Sequence, residues 1–141
     1  AMVSIKEKIY ERFLERYASI LNLKENHLEA FIESIKDTTK RDFKKGCPIA
    51  NVIQEMSNID EDFKVLMEHI YQAFRQNIKD ILDKSIEKKE MKECDTTKLA
   101  LYIASTLEGA ILSAKASGNI QDYLDVIDIL SSYLLTFKKS L

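Results

Sequence analysis

The stretch LALYIASTLEGAILSA, residues 99–114, decides the fold, because Glu108 is its only charged residue. It predicts a helix that is apolar on all sides, and such a helix is normally buried on all sides. One domain of this size covers one side, so we expect a second chain to cover the other. Ser105, Gly109 and Ser113 recur every four residues, which places small side chains on one stripe where another helix can approach. The stretch is shorter than the ~20 apolar residues of a bilayer span, so we expect a dimer interface and no membrane contact.

Length and composition favour one all-α domain over residues 1–141. The chain is 45% hydrophobic and 31% charged, with a formal net charge of −2, so no global field favours nucleic acid or an anionic membrane surface. Three glycines and one proline are too few for a protein built on hairpins and tight loops. Cys47 and Cys94 form no CxxC pair, which leaves metal or redox chemistry without support and predicts free thiols in a reducing cytoplasm.

Hydrophobic periodicity predicts six helices and no sheet. The first opens at Ser4 and runs to about residue 20. The second follows a capping-box spacing at Asn22 and Glu25, and its apolar face covers residues 28–35. A short third helix covers residues 49–56, after Gly46 and Pro48.

The three C-terminal helices have clearer start and stop signals. Asn58 or Asp60 is the predicted cap of the long fourth helix, which extends to about residue 88. Asp95 is the predicted cap of the fifth, and Gly118 with residue 119 ends it in a left-handed cap. The sixth runs from Ile120 nearly to the end of the chain.

Several local signatures resemble one family. GCPIAN, residues 46–51, is similar to the Gly-Cys-x-x-x-Asn start of a helix in TetR-type transcriptional regulators. DEDF, residues 60–63, resembles the Asp-Pro-x-Phe entry into their long central helix, and LEGAILSAK, residues 107–115, resembles their Leu-Glu-Gly-Ala segment. SIKEKIYERFLERY, residues 4–17, is similar to their linker helix. Pro48 replaces the usual aliphatic residue, which a first helical turn tolerates. The ordered set covers nearly the whole chain.

The resemblance implies a six-helix bundle like a TetR C-terminal domain. In that family the last two helices of each subunit form a four-helix dimer interface, and the preceding helices enclose a ligand cavity. Ligand binding shifts the linker helix and changes the separation of two DNA-binding heads. Only AMV precedes the linker helix here, so we expect the N-terminal helix-turn-helix domain to be missing. DNA binding would require that missing domain. The expected function is the effector-binding and dimerisation domain of a repressor for a small, partly apolar molecule, and not an enzyme.

Candidate ligand-binding residues are interior aromatic and apolar side chains with one amide, as pockets are mostly apolar with few polar groups. They are Tyr17, Phe31, Asn51, Val52, Met56, Met67, Tyr71, Phe74 and Tyr102. Each could instead fill the core, and the amide could instead bond nearby backbone. Because buried tyrosine hydroxyls need partners, Tyr71 and Tyr102 are the favoured ligand-orienting groups. The candidate dimer-interface residues are Ser105, Gly109, Ser113, Val126, Ile129 and Tyr133.

Neither His27 nor His69 has the preceding Glu of the Glu-x-x-His motif, so the sequence does not predict a di-iron site. His69 lies roughly opposite the apolar face of its helix, and both histidines are expected on the surface. Glu108 stands alone in an apolar helix, and burying an unpaired carboxylate is costly. It must therefore reach solvent, Lys115 or a group across the dimer, rather than act in catalysis.

Two alternatives remain open from the sequence. The first is a headless helical homodimer with a solid interior that acts as a structural or protein-interaction module without a ligand. The second is a helical-bundle enzyme that depends on a metal, which the absent Glu-x-x-His spacing disfavours. A cavity of a few hundred Å³ separates the ligand-binding interpretation from the first.

Overall fold

The computed structural model describes residues 14–38 and 61–140, apart from the side chains of residues 62–64, 66 and 67. Residues 14–18 are the described part of α1 and lead into a 3₁₀ turn, Ser19–Asn22. The further helices are α2 (His27–Lys36), α3 (Glu61–Glu87), α4 (Thr96–Ser117) and α5 (Ile120–Leu135). The predicted all-α class is confirmed, and the described residues form these five helices and the 3₁₀ turn, where the sequence predicted six helices. The predicted third helix and the start of the first lie outside the described ranges.

The boundaries of α4 follow local chemistry, as predicted. The Asp95 carboxylate accepts a hydrogen bond of 3.1 Å from the Lys98 amide at its first turn. Gly118 ends the helix with φ 70°, and its N–H donates to the Ala114 carbonyl, as a left-handed cap requires. Asn119 does not end α4. Its side chain caps the next helix by accepting from the Gln121 amide at 2.9 Å.

The last helix ends earlier than predicted, at Leu135 rather than near the chain end. The next amides bond three residues back, as in a tightened turn. The chain then pairs with the connector that joins α3 and α4, where Met91 and Lys138 form an isolated antiparallel bridge. The Lys92 amide donates to the Phe137 carbonyl at 2.7 Å, and the Lys139 amide donates to the Glu90 carbonyl at 2.9 Å. This pairing gives backbone groups of Phe137 and Lys139 hydrogen-bond partners in the connector. A further turn of α5 would not reach these partners.

The core is centred on α4, which packs between α3 and α5. Its buried side chains are many and small, and this lets both neighbours approach closely. They are Thr96, Leu99, Ala100, Ile103, Ala104, Leu107, Ala110, Ile111 and Ala114. At 22 residues α4 is long and apolar enough to cross a membrane by length and composition. The length argument against a span is therefore wrong, although a buried core helix of a soluble protein passes the same test.

The N-terminus of α2 is capped by a distant carboxylate rather than by the predicted local capping box. Asn26 precedes the helix with φ 62° and makes no side-chain cap. Instead Glu90 Oε1 accepts from the His27 amide at 2.6 Å and more weakly from the Leu28 amide at 3.4 Å. The negative charge also suits the positive end of the helix dipole.

His27 is fully buried, so the prediction of a surface position is wrong. Its Nδ1 lies 2.8 Å from Glu90 Oε2, and its Nε2 lies 2.8 Å from the Leu23 carbonyl. The ring is buried because it joins the turn before α2 to the α3–α4 connector.

The C-terminus of α2 is held by two further side chains. The Arg16 guanidinium of α1 donates to the Ser34 carbonyl at 2.7 Å and to the Asp37 carbonyl at 3.1 Å. The buried Tyr123 hydroxyl of α5 donates to the Ile35 carbonyl at 2.5 Å. A cation near the last carbonyls complements the dipole, so α2 is fixed at both ends by other elements.

Substituting Glu90 tests this arrangement. We expect Glu90→Gln to lower the free energy of unfolding by about 2 kcal/mol or more, because the buried His27 loses its charged partner. Urea denaturation measures the loss. The matched control is Glu93→Gln, an exposed change in the same connector, which should leave the midpoint nearly unchanged. Equal midpoints for the two variants would contradict the capping role.

A second polar contact joins α3 to α4. Asp83 accepts from the Lys79 ammonium at 2.7 Å and from the Thr96 hydroxyl at 2.6 Å. Burial alone would raise the pKa of Asp83, but the hydrogen bonds from Lys79 and Thr96 outweigh it and hold that pKa below its ordinary value. The contribution to stability is therefore present above the ordinary aspartate pKa and is lost as the pH falls through the lowered value.

Replacing Thr96 by Val removes one of these hydrogen bonds at nearly constant shape. We expect a loss of about 1 kcal/mol at neutral pH, since Asp83 is partly exposed and its interactions are screened. The difference in the free energy of unfolding between the variant and the wild type should become smaller as acid protonates Asp83. Urea denaturation at a series of pH values measures it, with the exposed Thr97→Val as control. A difference independent of pH would exclude Asp83 as the partner.

Candidate ligand-binding cluster and dimerisation face

An aromatic cluster joins the first three helices. Tyr17 of α1, Phe31 of α2 and Phe74 of α3 are all buried. The ring centroids of Tyr17 and Phe74 are 5.3 Å apart, and those of Tyr17 and Phe31 are 6.1 Å apart. Tyr71 is half-buried, one turn before Phe74, with 6.3 Å between the ring centroids. These tilted contacts are typical of packed aromatic side chains.

Four of the nine predicted ligand-binding residues are thus brought together in the cluster. Met67 lies one turn before Tyr71 on α3, but its side chain is outside the described part of the chain. Asn51, Val52 and Met56 fall in residues 39–60, which are also outside it. Their contribution to a cavity stays a prediction.

The end of α1 is attached to its neighbours by side chains that the sequence did not single out. Arg16 binds the last carbonyls of α2 and lies 5.8 Å from the Tyr17 ring centroid. The Asn77 side chain of α3 donates to the Leu14 carbonyl at 3.4 Å. No local pattern reveals these contacts, because each partner is distant in sequence. A change in packing at the cluster would therefore reach α1 through several contacts.

Tyr102 does not belong to the cluster, and the prediction that it faces the interior is wrong. Its side chain is 52% exposed, because it lies on the side of α4 opposite the packed core. Its ring lies edge-on to that of Tyr133 on α5, with centroids 5.8 Å apart. Tyr133 in turn lies 5.3 Å from Phe137, so Tyr102 extends an aromatic row on the outer surface.

An exposed apolar surface covers α4 and α5, which we call the α4–α5 face. Its large members include Ile129, which is 74% exposed, and the small residues of the predicted stripe are exposed beside them. The face comprises Leu101, Tyr102, Ser105, Gly109, Leu112, Ser113, Ile129 and Tyr133, together with the half-buried Val126. Monomeric soluble proteins rarely expose a large contiguous apolar patch without a partner.

Gly109 lies in the middle of the small-residue stripe. A Cβ atom placed there would have no atom of the described chain within 4 Å. Its small size is therefore not required by packing within one chain. The absence of a side chain at Gly109 leaves room for the backbone of another helix to approach.

The described titratable groups give no support for a catalytic centre. Burial raises the pKa of the Cys94 thiol, and the nearby Asp95 and Asp83 raise it further, which disfavours the reactive thiolate. Within residues 14–38 and 61–140, no group of three or more His, Cys, Asp or Glu could hold a metal ion. His69 is exposed as predicted, and Glu108 is half-buried.

Comparisons with known proteins agree with this architecture. Residues 25–128 match a TetR C-terminal domain family described as "Transcriptional regulator LmrA/YxaF-like, C-terminal domain". No curated protein sequence is similar enough to match this chain.

Two solved structures are similar in fold. The reduced form of NemR from E. coli superposes with a TM-score of 0.78 at 17% identity, covering 98% of this chain and 72% of that one. A TetR transcriptional regulator from Chloroflexus aurantiacus J-10-FL superposes with a TM-score of 0.76 at 21% identity, covering 96% and 71%. The family match spans most of the sequence, and the chain belongs to the TetR-type transcriptional regulators, with a C-terminal domain of the LmrA/YxaF-like kind.

Proposed function

We propose that this chain is the effector-binding and dimerisation domain of a TetR-type repressor that senses a small, partly apolar molecule. The observation that carries the proposal is the coexistence of two apolar regions in one small fold. One is the buried aromatic cluster on α1, α2 and α3, and the other is the exposed α4–α5 face. The family supplies the regulatory context.

The sensing step is supported by what holds α1. The described part of this helix contains the end of the segment, residues 4–17, that resembles the linker to the DNA-binding head, and Tyr17 lies in the cluster. A ligand that packs against Phe31 and Phe74 would favour one position of Tyr17 over another. A ligand shifts an equilibrium only through such a difference in affinity between two states. The shift of α1 would change the separation of the helix-turn-helix heads and release DNA.

The dimerisation step is supported by the α4–α5 face. Pairing two such faces makes a four-helix interface with Gly109 and its serine neighbours at the closest approach. Burial of Ile129 and the Tyr102–Tyr133 pair supplies the apolar area. In this arrangement α4 is a core helix covered on both sides, and the protein works in the cytoplasm as a homodimer.

Gly109→Leu tests the interface. The single chain has room for the new side chain, and Leu raises helix propensity over Gly by about 0.8 kcal/mol. The subunit should therefore fold normally, while the dimer should dissociate to monomer or aggregate. Light scattering coupled to size exclusion measures the change. The control is Ala73→Leu, a comparable enlargement on an exposed position of α3. An unchanged dimer in Gly109→Leu would contradict the interface.

Phe74→Ala tests the ligand site. Truncation of this buried ring should lower the free energy of unfolding by ~3–5 kcal/mol. It should also change which members of a panel of small hydrophobic compounds raise the melting temperature, because the cavity wall is altered. Thermal shift with and without each compound measures both effects.

The control for this test is Leu82→Ala, a fully buried truncation on the same helix outside the aromatic cluster. It should destabilise the fold and leave the compound preference unchanged. If no compound stabilises the wild type, the interior is solid, and the interaction-module alternative is favoured. If Phe74→Ala keeps the wild-type preference among the compounds, as Leu82→Ala should, the cluster is not the ligand site.

A further inference from the structure

We propose a second binding site, an anion site for a small molecule that carries two or more phosphate charges, in a lysine-lined cleft. The cleft has a volume of about 450 Å³. Three segments distant in sequence line it: the start of α2, the α3–α4 connector and the chain after α5. The lining residues, here called the lysine cleft, are Lys24, Glu25, Asn26, Leu28, Glu29, Lys88, Lys89, Glu90, Lys138 and Lys139.

The segments around the lysine cleft are held to one another. The carboxylate of Glu90 binds the first amide of α2 and His27, while its backbone carbonyl accepts from the Lys139 amide at 2.9 Å. The Met91–Lys138 bridge continues this pairing, and the ammonium of Lys138 pairs with Glu29. The lysines therefore extend from a fixed frame, which lowers the conformational cost of gathering them around a ligand.

The charge balance of the cleft is positive. It is lined by five lysines and three glutamates. Glu90 is turned towards His27 and the helix amides, and Glu29 is paired with Lys138. With the Glu29–Lys138 pair set aside, Glu25 and Glu90 oppose four lysines, so the lining keeps an excess of two positive charges. Within residues 14–38 and 61–140, four lysines of the lining make no ion pair: Lys24, Lys88, Lys89 and Lys139. Like charges this close repel one another, and a bound anion relieves the repulsion.

The side-chain chemistry favours phosphate. Lysine presents a compact point charge with three donors and is a common phosphate ligand, whereas arginine would add a planar fork that suits phosphate and carboxylate alike. The lining holds no arginine. The volume lies in the range of small-molecule sites, but the charged wall differs from the mostly apolar lining of most pockets. A compact, multiply charged phosphate is the complementary occupant.

This site is separate from the aromatic cluster of the proposed function. The cleft lining and the cluster share no residue, although both use α2, where Leu28 and Phe31 are one turn apart. Along α3, Phe74 and Lys88, the first residue after the helix, are 14 residues or about 20 Å apart. The proposal therefore does not depend on whether the cluster binds an effector. The variants also distinguish the two ligands. Phe74→Ala should change the binding of an apolar effector, and the lysine substitutions in the cleft should weaken the binding of a phosphate.

The test is calorimetric titration of the full 141-residue chain with inorganic pyrophosphate, and with citrate as a carboxylate of comparable charge. The cleft variant is Lys24→Gln, Lys88→Gln, Lys139→Gln. The control variant is Lys36→Gln, Lys92→Gln, Lys98→Gln, which removes the same charge from exposed lysines outside the lining. Circular dichroism verifies that both variants remain folded.

We expect saturable binding of one pyrophosphate per chain, weakened about tenfold or more in the cleft variant and within about twofold of the wild type in the control. Added salt should weaken it, because the attraction is between solvent-accessible charges. Three results would overturn the proposal. They are the absence of saturable pyrophosphate binding by the wild type, equal weakening in both variants, or citrate binding as tightly as pyrophosphate.

Discussion

The structure depends on the anchoring of α2 at both ends by charged and polar groups from other elements. A ten-residue helix is marginal in isolation, and its terminal amides and carbonyls need partners. Glu90 supplies the acceptor at one end, and Arg16 and Tyr123 supply donors at the other. Since these groups come from the connector, α1 and α5, the contacts that stabilise α2 also fix the positions of its neighbours. Phe31 is thereby held against Tyr17.

Local chemistry in the sequence was enough to predict the C-terminal helices. The Asp95 cap and the left-handed Gly118 need only near neighbours, and both behave as their residue types predict. The exposed apolar stripe of α4 was also visible, because helical spacing assigns residues to faces. Periodicity cannot tell which face of an apolar helix meets the core, however. Tyr102 was placed inside for that reason, and it lies on the outer side.

Long-range pairs were beyond the sequence analysis. Nothing near Glu90 indicates that it caps a helix that begins at His27, and a lone histidine carries no periodic signal. The end of α5 was overextended for the same reason, since the apolar spacing continues through Phe137 while the backbone turns to pair with the connector. The aromatic cluster was predicted as a set of interior residues. Its assembly from three helices depends on the docking of α2, which local pattern does not encode.

The distance along the chain between Glu90 and His27, 63 residues, also bears on the order of folding. Closing so long a loop is entropically costly, whereas α4 and α5 are joined by a two-residue turn and make mostly local contacts. We therefore expect the α4–α5 hairpin to form early and α2 to dock late. A nascent chain would expose the apolar side chains of α2, including Phe31, until the connector has emerged, so this helix would be accessible to chaperones during synthesis.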